Sequence, residues 1–242
     1  MNLAVDIGNT RVKAALFSKE GPVDLHIYQT PEELLNDFDF IKKAQKAIIG
    51  SVLADQEPFF KKLNELIPLL LFTTNTAIPL KNKYQSASTL GSDRLAASVG
   101  AYNLYPNQNV LVIDAGTCIK YNFTNVSNEY IGGGISPGLE MRFKALHQLT
   151  SKLPLVEADL SFKELVGTNT KNSILSGILN GTVAEVEGIM DQYRQQFPDL
   201  ICVLTGGDSE YLAKRLKNSI FAHQNLVLKG LNDILNYTLE NT

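Results

Sequence analysis

One short pattern occurs twice in this chain, and it constrains the fold more than any other feature. Leu3-Ala4-Val5-Asp6-Ile7-Gly8-Asn9-Thr10 opens the sequence, and Val110-Leu111-Val112-Ile113-Asp114-Ala115-Gly116-Thr117 returns near its middle. Each is an apolar, β-branched run that ends in Asp-x-Gly and then reaches a hydroxyl residue. Such a run reads as a buried strand. The aspartate falls at its carboxyl end, where α/β sheets bind ligands. The glycine permits a tight turn and a close backbone approach to phosphate, and the threonine hydroxyl can bond a phosphate oxygen. Taken singly, either segment is an ordinary turn. Two copies, each opening a half-chain, predict a duplicated α/β fold with a nucleotide cleft between the halves.

Bulk properties narrow the class. The 242 residues suffice for two modest domains, and a formal net charge of −3 gives no electrostatic case for nucleic-acid binding. Cys118 and Cys202 lack metal-like or disulfide-like spacing, as expected in a reducing cytoplasm. His26, His147 and His223 are scattered, which disfavours a histidine metal site. No signal peptide or membrane span is expected, because Asp6 interrupts the apolar start and Pro68 interrupts the run from Leu66 to Phe72.

Both halves place strands before helices. In the first, Leu3–Asp6, Val12–Phe17, Leu25–Gln29, Ala47–Val52 and Leu69–Phe72 read as strands, with a turn at Lys19–Pro22. Helices are expected from Pro31, with Thr30 as N-cap, over Phe59–Ile67 and over Ser92–Tyr102. In the second half, Val110–Asp114, Ile119–Phe123, Tyr130–Ile135 and Ile201–Thr205 read as strands. Helices are expected over Leu139–Leu149, Ser209–Leu216 and Leu231–Leu239, with one or two across Asn172–Arg194. A boundary at Tyr105-Pro106 predicts domains 1–105 and 106–242.

Five places carry candidate chemistry. In the first, Asp6 to Lys13, Gly8 and Asn9 make the turn, Thr10 can bond a phosphate and Lys13 supplies a point charge. Asp6 and a phosphate are both anions, so Mg²⁺ must lie between them; the plainer reading is a hairpin with a solvated lysine. In Leu90-Gly91-Ser92-Asp93-Arg94, Gly91 allows a turn into a helix that Ser92 can cap. Asp93 and Arg94 are then either a surface pair or a general base beside an anion holder. Asp114–Thr117 brings a third carboxylate, and a triphosphate among three aspartates demands cations. Thr205-Gly206-Gly207-Asp208 is a strand-to-helix corner, either a simple turn or a surface against which a flat base slides. Gly132-Gly133-Gly134-Ile135-Ser136-Pro137-Gly138 is a flexible loop or a wall that lets a ligand approach backbone.

These segments, with Leu146–Pro154 and Gly167-Thr168-Asn169-Thr170, occur in the order seen in type III pantothenate kinases, and the resemblance spans nearly the whole chain. It implies the acetate kinase/sugar kinase/Hsp70/actin fold, two tandem RNase H-like domains, and ATP-dependent phosphorylation of pantothenate at its terminal hydroxyl, the first step of coenzyme A synthesis. On this resemblance Asp6, Ile7, Gly8, Asn9, Thr10, Arg11, Val12 and Lys13 would hold the ATP phosphates with Mg²⁺, and Thr117 would touch ATP. Asp93 would accept the proton. Tyr84, Gly91, Ser92, Asp93 and Arg94 would line the pantothenate pocket, and Thr170 would reach it across a homodimer interface. Asp114 would bind a monovalent cation, K⁺ or NH₄⁺. One stretch departs from the pattern. Where the family continues Ala-x-Thr-x-Asp after Asp-x-Gly-Thr, this chain has Cys118-Ile119-Lys120-Tyr121-Asn122. Lys120 can supply the positive charge that a monovalent ion provides elsewhere. The competing expectations are another small-molecule kinase of the same superfamily, such as a sugar kinase, and a non-catalytic transcription accessory factor.

Overall fold

A computed structural model describes residues 1–53 and 56–241. In chain order the elements are β1 (Asn2–Ile7), β2 (Val12–Ser18), β3 (Gly21–Tyr28), α1 (Pro31–Asn36), α2 (Phe38–Ile41), β4 (Lys46–Ser51), α3 (Glu57–Leu66), β5 (Leu69–Leu71), β6 (Lys81–Asn82) and α4 (Ser92–Leu104). There follow β7 (Val110–Ala115), β8 (Cys118–Thr124), β9 (Glu129–Gly132), β10 (Ile135–Pro137), α5 (Leu139–Gln148), α6 (Thr170–Gln196), β11 (Ile201–Thr205), α7 (Ser209–Arg215), β12 (Phe221–Ala222) and α8 (Leu226–Glu240).

The chain divides into two compact units. The first comprises Met1–Gln108, Asn122–Gly132 and Asn225–Thr242; the second comprises Asn109–Tyr121 and Gly133–Gln224. The C-terminal residues belong to the first unit. Packing explains this. Leu228, Leu231, Ile234 and Leu235 of α8 share a core cluster with Ala4, Ile48, Leu95, Ala96 and Val99. The approach of α8 to α4 depends on glycine: a Cβ on Gly230 would lie 1.7 Å from the Ala96 carbonyl oxygen.

The first unit holds a five-stranded sheet in the order β3-β2-β1-β4-β5. β1 pairs antiparallel with β2 and parallel with β4, and β4 pairs parallel with β5. Leu3, Val5 and Ile7 of β1 face one cluster with α1, α2 and α3, while Ala4 faces the other; period-2 alternation thus buries both faces. The other sheet runs in the order β12-β11-β7-β8-β9-β6, with β10 also on β8, and its β12-β11-β7-β8 part repeats the plan. β11 runs parallel to β7 and to β12. Thus β7 corresponds to β1, β8 to β2, β11 to β4 and β12 to β5. The duplication visible in two Asp-x-Gly segments extends to whole sheets.

Thr30 caps α1, its hydroxyl accepting from the Glu33 amide at 3.4 Å. The expected Lys19–Pro22 turn is shorter, because Gly21 at φ +132 already pairs with Ser18 and opens β3. The expected Tyr130–Ile135 strand splits into β9 and β10, since Gly132 and Gly133 take φ +127 and +150, outside the range of extended strands. Asn172–Arg194 falls within one helix of 27 residues, α6. Among the described residues no helix is long and apolar enough to cross a membrane.

Candidate active site

In the first unit, the register sets Asp6 opposite Lys13 on β2 and opposite Gly50 on β4. Gly8 closes the hairpin by donating its amide to the Arg11 carbonyl at 3.1 Å, which leaves Asn9, Thr10 and Arg11 exposed. A partly exposed strand-end carboxylate beside an open loop is a donor set that Mg²⁺ can use together with substrate phosphates, since Mg²⁺ keeps several waters and needs few protein ligands. Among the described residues no group of three or more His, Cys, Asp or Glu side chains forms a protein cage for a metal.

Helix α4 starts beside this strand end. Ser92 was expected to cap the helix; instead Gly91 occupies the N-cap position without a side-chain bond, and the Ser92 hydroxyl donates to the Ser51 carbonyl at 3.1 Å. A Cβ on Gly50, the residue paired with Asp6, would lie 3.5 Å from the Ser92 Oγ. The end of β1 and the start of α4 are therefore neighbours. The Asp93 carboxylate folds back over the helix start, where its Oδ1 accepts the Arg94 amide at 2.8 Å. A Cβ on Gly91 would lie 2.5 Å from that same oxygen, so glycine is needed here for the carboxylate rather than for the backbone, whose φ −61 and ψ 134 suit any residue.

Arg94 is only 5% exposed. Its Nε donates to the Asn122 Oδ1 at 2.7 Å, and its guanidinium carbon lies 5.5 Å from the Tyr84 ring centroid. The Tyr130 hydroxyl donates to the same Asn122 oxygen at 3.2 Å, and Tyr84 packs against Gly132. The sequence-predicted Tyr84, Gly91, Ser92, Asp93 and Arg94 thus meet in one unit. Asn122 and Tyr130 join them without having been singled out as site residues. Asn122 is fully buried and its Nδ2 has no hydrogen-bond partner among the described residues.

The second unit builds a different corner at the end of β7. Asp114 sits opposite Thr205 in the parallel ladder. Gly206 takes φ +95, and a Cβ there would lie 2.2 Å from the Ala115 carbonyl oxygen; one on Gly138 would lie 2.0 Å from the Gly116 carbonyl oxygen. The Gly206-Gly207-Asp208 corner is closed by the Asp208 amide donating to Ala115 at 3.0 Å. Burial, with Glu140 facing it, pushes the Asp208 carboxyl up to about 6. Thr117 is exposed in the turn between β7 and β8. Asp114 is not a bare carboxylate: Lys120 Nζ stands 2.8 Å from its Oδ2, with the two side chains 22% and 13% exposed. An ammonium at that distance takes the place a monovalent cation would occupy on this oxygen, so the residues present do not fit a resident K⁺ or NH₄⁺ there. Thr170, first residue of α6, lines an apolar cavity of about 660 Å³ with Leu146, Leu149, Leu153 and Ile174. It lies in the second unit, apart in the chain from the Arg94 cluster of the first.

The repeated sheet order and the two aspartate-tipped central strands define the class: the α/β fold of two RNase H-like domains shared by actin-like ATPases and kinases. Solved structures bear this out. A Baf-family transcriptional activator from Campylobacter jejuni superposes with a TM-score of 0.66 at 19% identity, covering 98% of this chain and 99% of that one. A glucokinase from an Antarctic psychrotroph gives 0.54 at 12% identity, covering 98% of each chain. The sequence model of the type III pantothenate kinase family matches residues 2–192. Proteins named type III pantothenate kinase are 43% identical in Christiangramia forsetii, covering 98% of both chains, and 40% identical in Flavobacterium johnsoniae, covering all of both. The chain belongs to the type III pantothenate kinase family.

Proposed function

We propose that this chain transfers the γ-phosphoryl group of ATP to the primary hydroxyl of pantothenate, the opening step of coenzyme A synthesis. The observation that carries the reading is the pairing at the start of α4: a carboxylate held in place by the Arg94 amide, next to a buried guanidinium held by Asn122 and Tyr84. Arg94 binds the substrate's carboxylate, and Asp93 accepts the proton of its hydroxyl as the P–O bond forms. The substrate is thereby oriented in line with the leaving group. Charge spreads over the phosphoryl oxygens in a loose transition state, so positioning and cations matter more than the strength of the base.

The loop from Gly8 to Arg11 offers backbone donors to the phosphates, and Thr10, Lys13 and Thr117 add contacts. Asp6 would hold Mg²⁺ together with the nucleotide, and the ion would supply charge neutralisation to the polyphosphate. Thr170 completes the pantothenate pocket from the second subunit of a homodimer. Support comes from the family membership and from the meeting of Tyr84, Gly91, Ser92, Asp93 and Arg94 in one unit.

The test is ADP release coupled to mass detection of phosphorylated pantothenate. Asp93→Asn should lower turnover by about 10²–10⁴ while a non-hydrolysable ATP analogue still binds. Near-normal turnover in that variant would remove Asp93 from the role of base. Phosphorylation of a hexose instead of pantothenate would favour a sugar kinase.

A further inference from the structure

We infer that the Lys120 ammonium is a built-in monovalent cation for the nucleotide site, so that this chain turns over without K⁺ or NH₄⁺. The inference rests on the kinase reading above and deepens it. Lys120 stands on β8, where it pairs with Ile135 of β10, and it is delivered to Asp114 across the tight turn closed by the Gly116 amide and the Cys118 carbonyl. Nζ lies 2.8 Å from the Asp114 Oδ2, and both side chains are mostly buried. A lysine head group is a compact cation with three donors, chemically an alkylated ammonium ion. Tethered to a paired strand, it reaches the carboxylate without the translational cost that a free ion incurs.

Asp114 occupies on β7 the place that Asp6 occupies on β1, at the carboxyl end of a central strand. A carboxylate aimed at a nucleotide is repulsive unless a positive charge stands with it, and Lys120 supplies that charge permanently. Removing the lysine should leave an uncompensated, mostly buried carboxylate, a state costly enough to recruit an ion from solution. Lys120→Ala should therefore acquire the cation dependence that the wild-type chain lacks.

The experiment uses the full-length protein exchanged into tetramethylammonium buffer, with KCl, NH₄Cl or NaCl then added at constant ionic strength. Turnover and the affinity for Mg²⁺–ADP by calorimetry are both read. Wild type is expected to show the same turnover and the same nucleotide affinity in every salt. Lys120→Ala is expected to lose about 10²-fold in turnover without K⁺ or NH₄⁺, as for loss of one preorganised charge, and to regain most of it when either ion is added. Lys120→Arg, which keeps the charge, should stay indifferent to the ions. Wild-type activity that appears only with K⁺ or NH₄⁺ overturns the inference, as does a Lys120→Ala variant whose loss no ion repairs although it melts like wild type. If pantothenate yields no ADP in any salt, the kinase reading fails, and the calorimetric arm alone decides the role of Lys120.

Discussion

Gly91→Ala separates the position of the Asp93 carboxylate from the stability of the helix that carries it. The backbone at Gly91 has φ −61 and ψ 134, which alanine adopts without strain. Its Cβ would nonetheless stand 2.5 Å from the Asp93 Oδ1. Ordinary heavy-atom contact begins near about 3.5 Å, so the carboxylate must withdraw by roughly 1 Å. That withdrawal breaks its 2.8 Å bond from the Arg94 amide. A displacement of this size at a reacting group costs about 10²-fold. The fold should lose little, because the obstructing atom is the end of a flexible side chain; about 1 kcal/mol for alanine at an N-cap corresponds to about 2–4 °C in a chain of this size. The assay is steady-state turnover with pantothenate beside a thermal melt, with KM for ATP as the internal control. A Gly91→Ala enzyme with unchanged kcat would refute the claim that the carboxylate's position matters. A fall in kcat accompanied by a large fall in Tm would refute the claim that the effect is local.

Three further outcomes follow from the same geometry. Asn122→Ala removes the acceptor shared by Arg94 and Tyr130; two buried donors lose this bond, stability should fall by about 1–3 kcal/mol in chemical denaturation, and KM for pantothenate should rise as Arg94 loosens. Gly230→Ala drives a Cβ to within 1.7 Å of the Ala96 carbonyl oxygen and should lower stability by about 1–3 kcal/mol through overpacking of α8 on α4, read by the denaturation midpoint. Burial raises the Asp208 carboxyl to about 6 from an ordinary 3.8. The folded state therefore favours the protonated acid, and that contribution is full below the unfolded value and is lost as pH rises through the folded one. Asp208→Asn should accordingly melt higher than wild type at pH above about 7 and lose that advantage at pH below about 4.

Much of this architecture is written in local pattern. The central strands β1 and β7 follow from apolar runs ending in Asp-x-Gly, and α1 from Thr30 and Pro31. Short pairings escape such reading: β6 and β12 have two residues each, too few for any periodicity, and exist because a neighbouring strand supplies their partners. The destination of α8 is equally hidden. Its apolar stripe marks a buried face but not which sheet accepts it; Gly230 and Gly100, which let α8 approach α4, carry the answer only in three dimensions. At the site, Gly91 and Arg94 are legible as types, whereas the oxygen that fixes Arg94 belongs to Asn122, 28 residues away on β8. The Lys120–Asp114 contact spans a tight turn. Sequence spacing shows that the two residues lie near each other, while their strand pairing makes the contact.

The most direct test of the account is incubation of the purified chain with Mg²⁺–ATP and pantothenate, following ADP and pantothenate-derived product together by mass spectrometry. One phosphorylated pantothenate should appear for each ADP formed, with product falling away in Asp93→Asn. ADP formed without phosphorylated pantothenate, or no turnover of pantothenate at all by folded, nucleotide-binding protein, would contradict it.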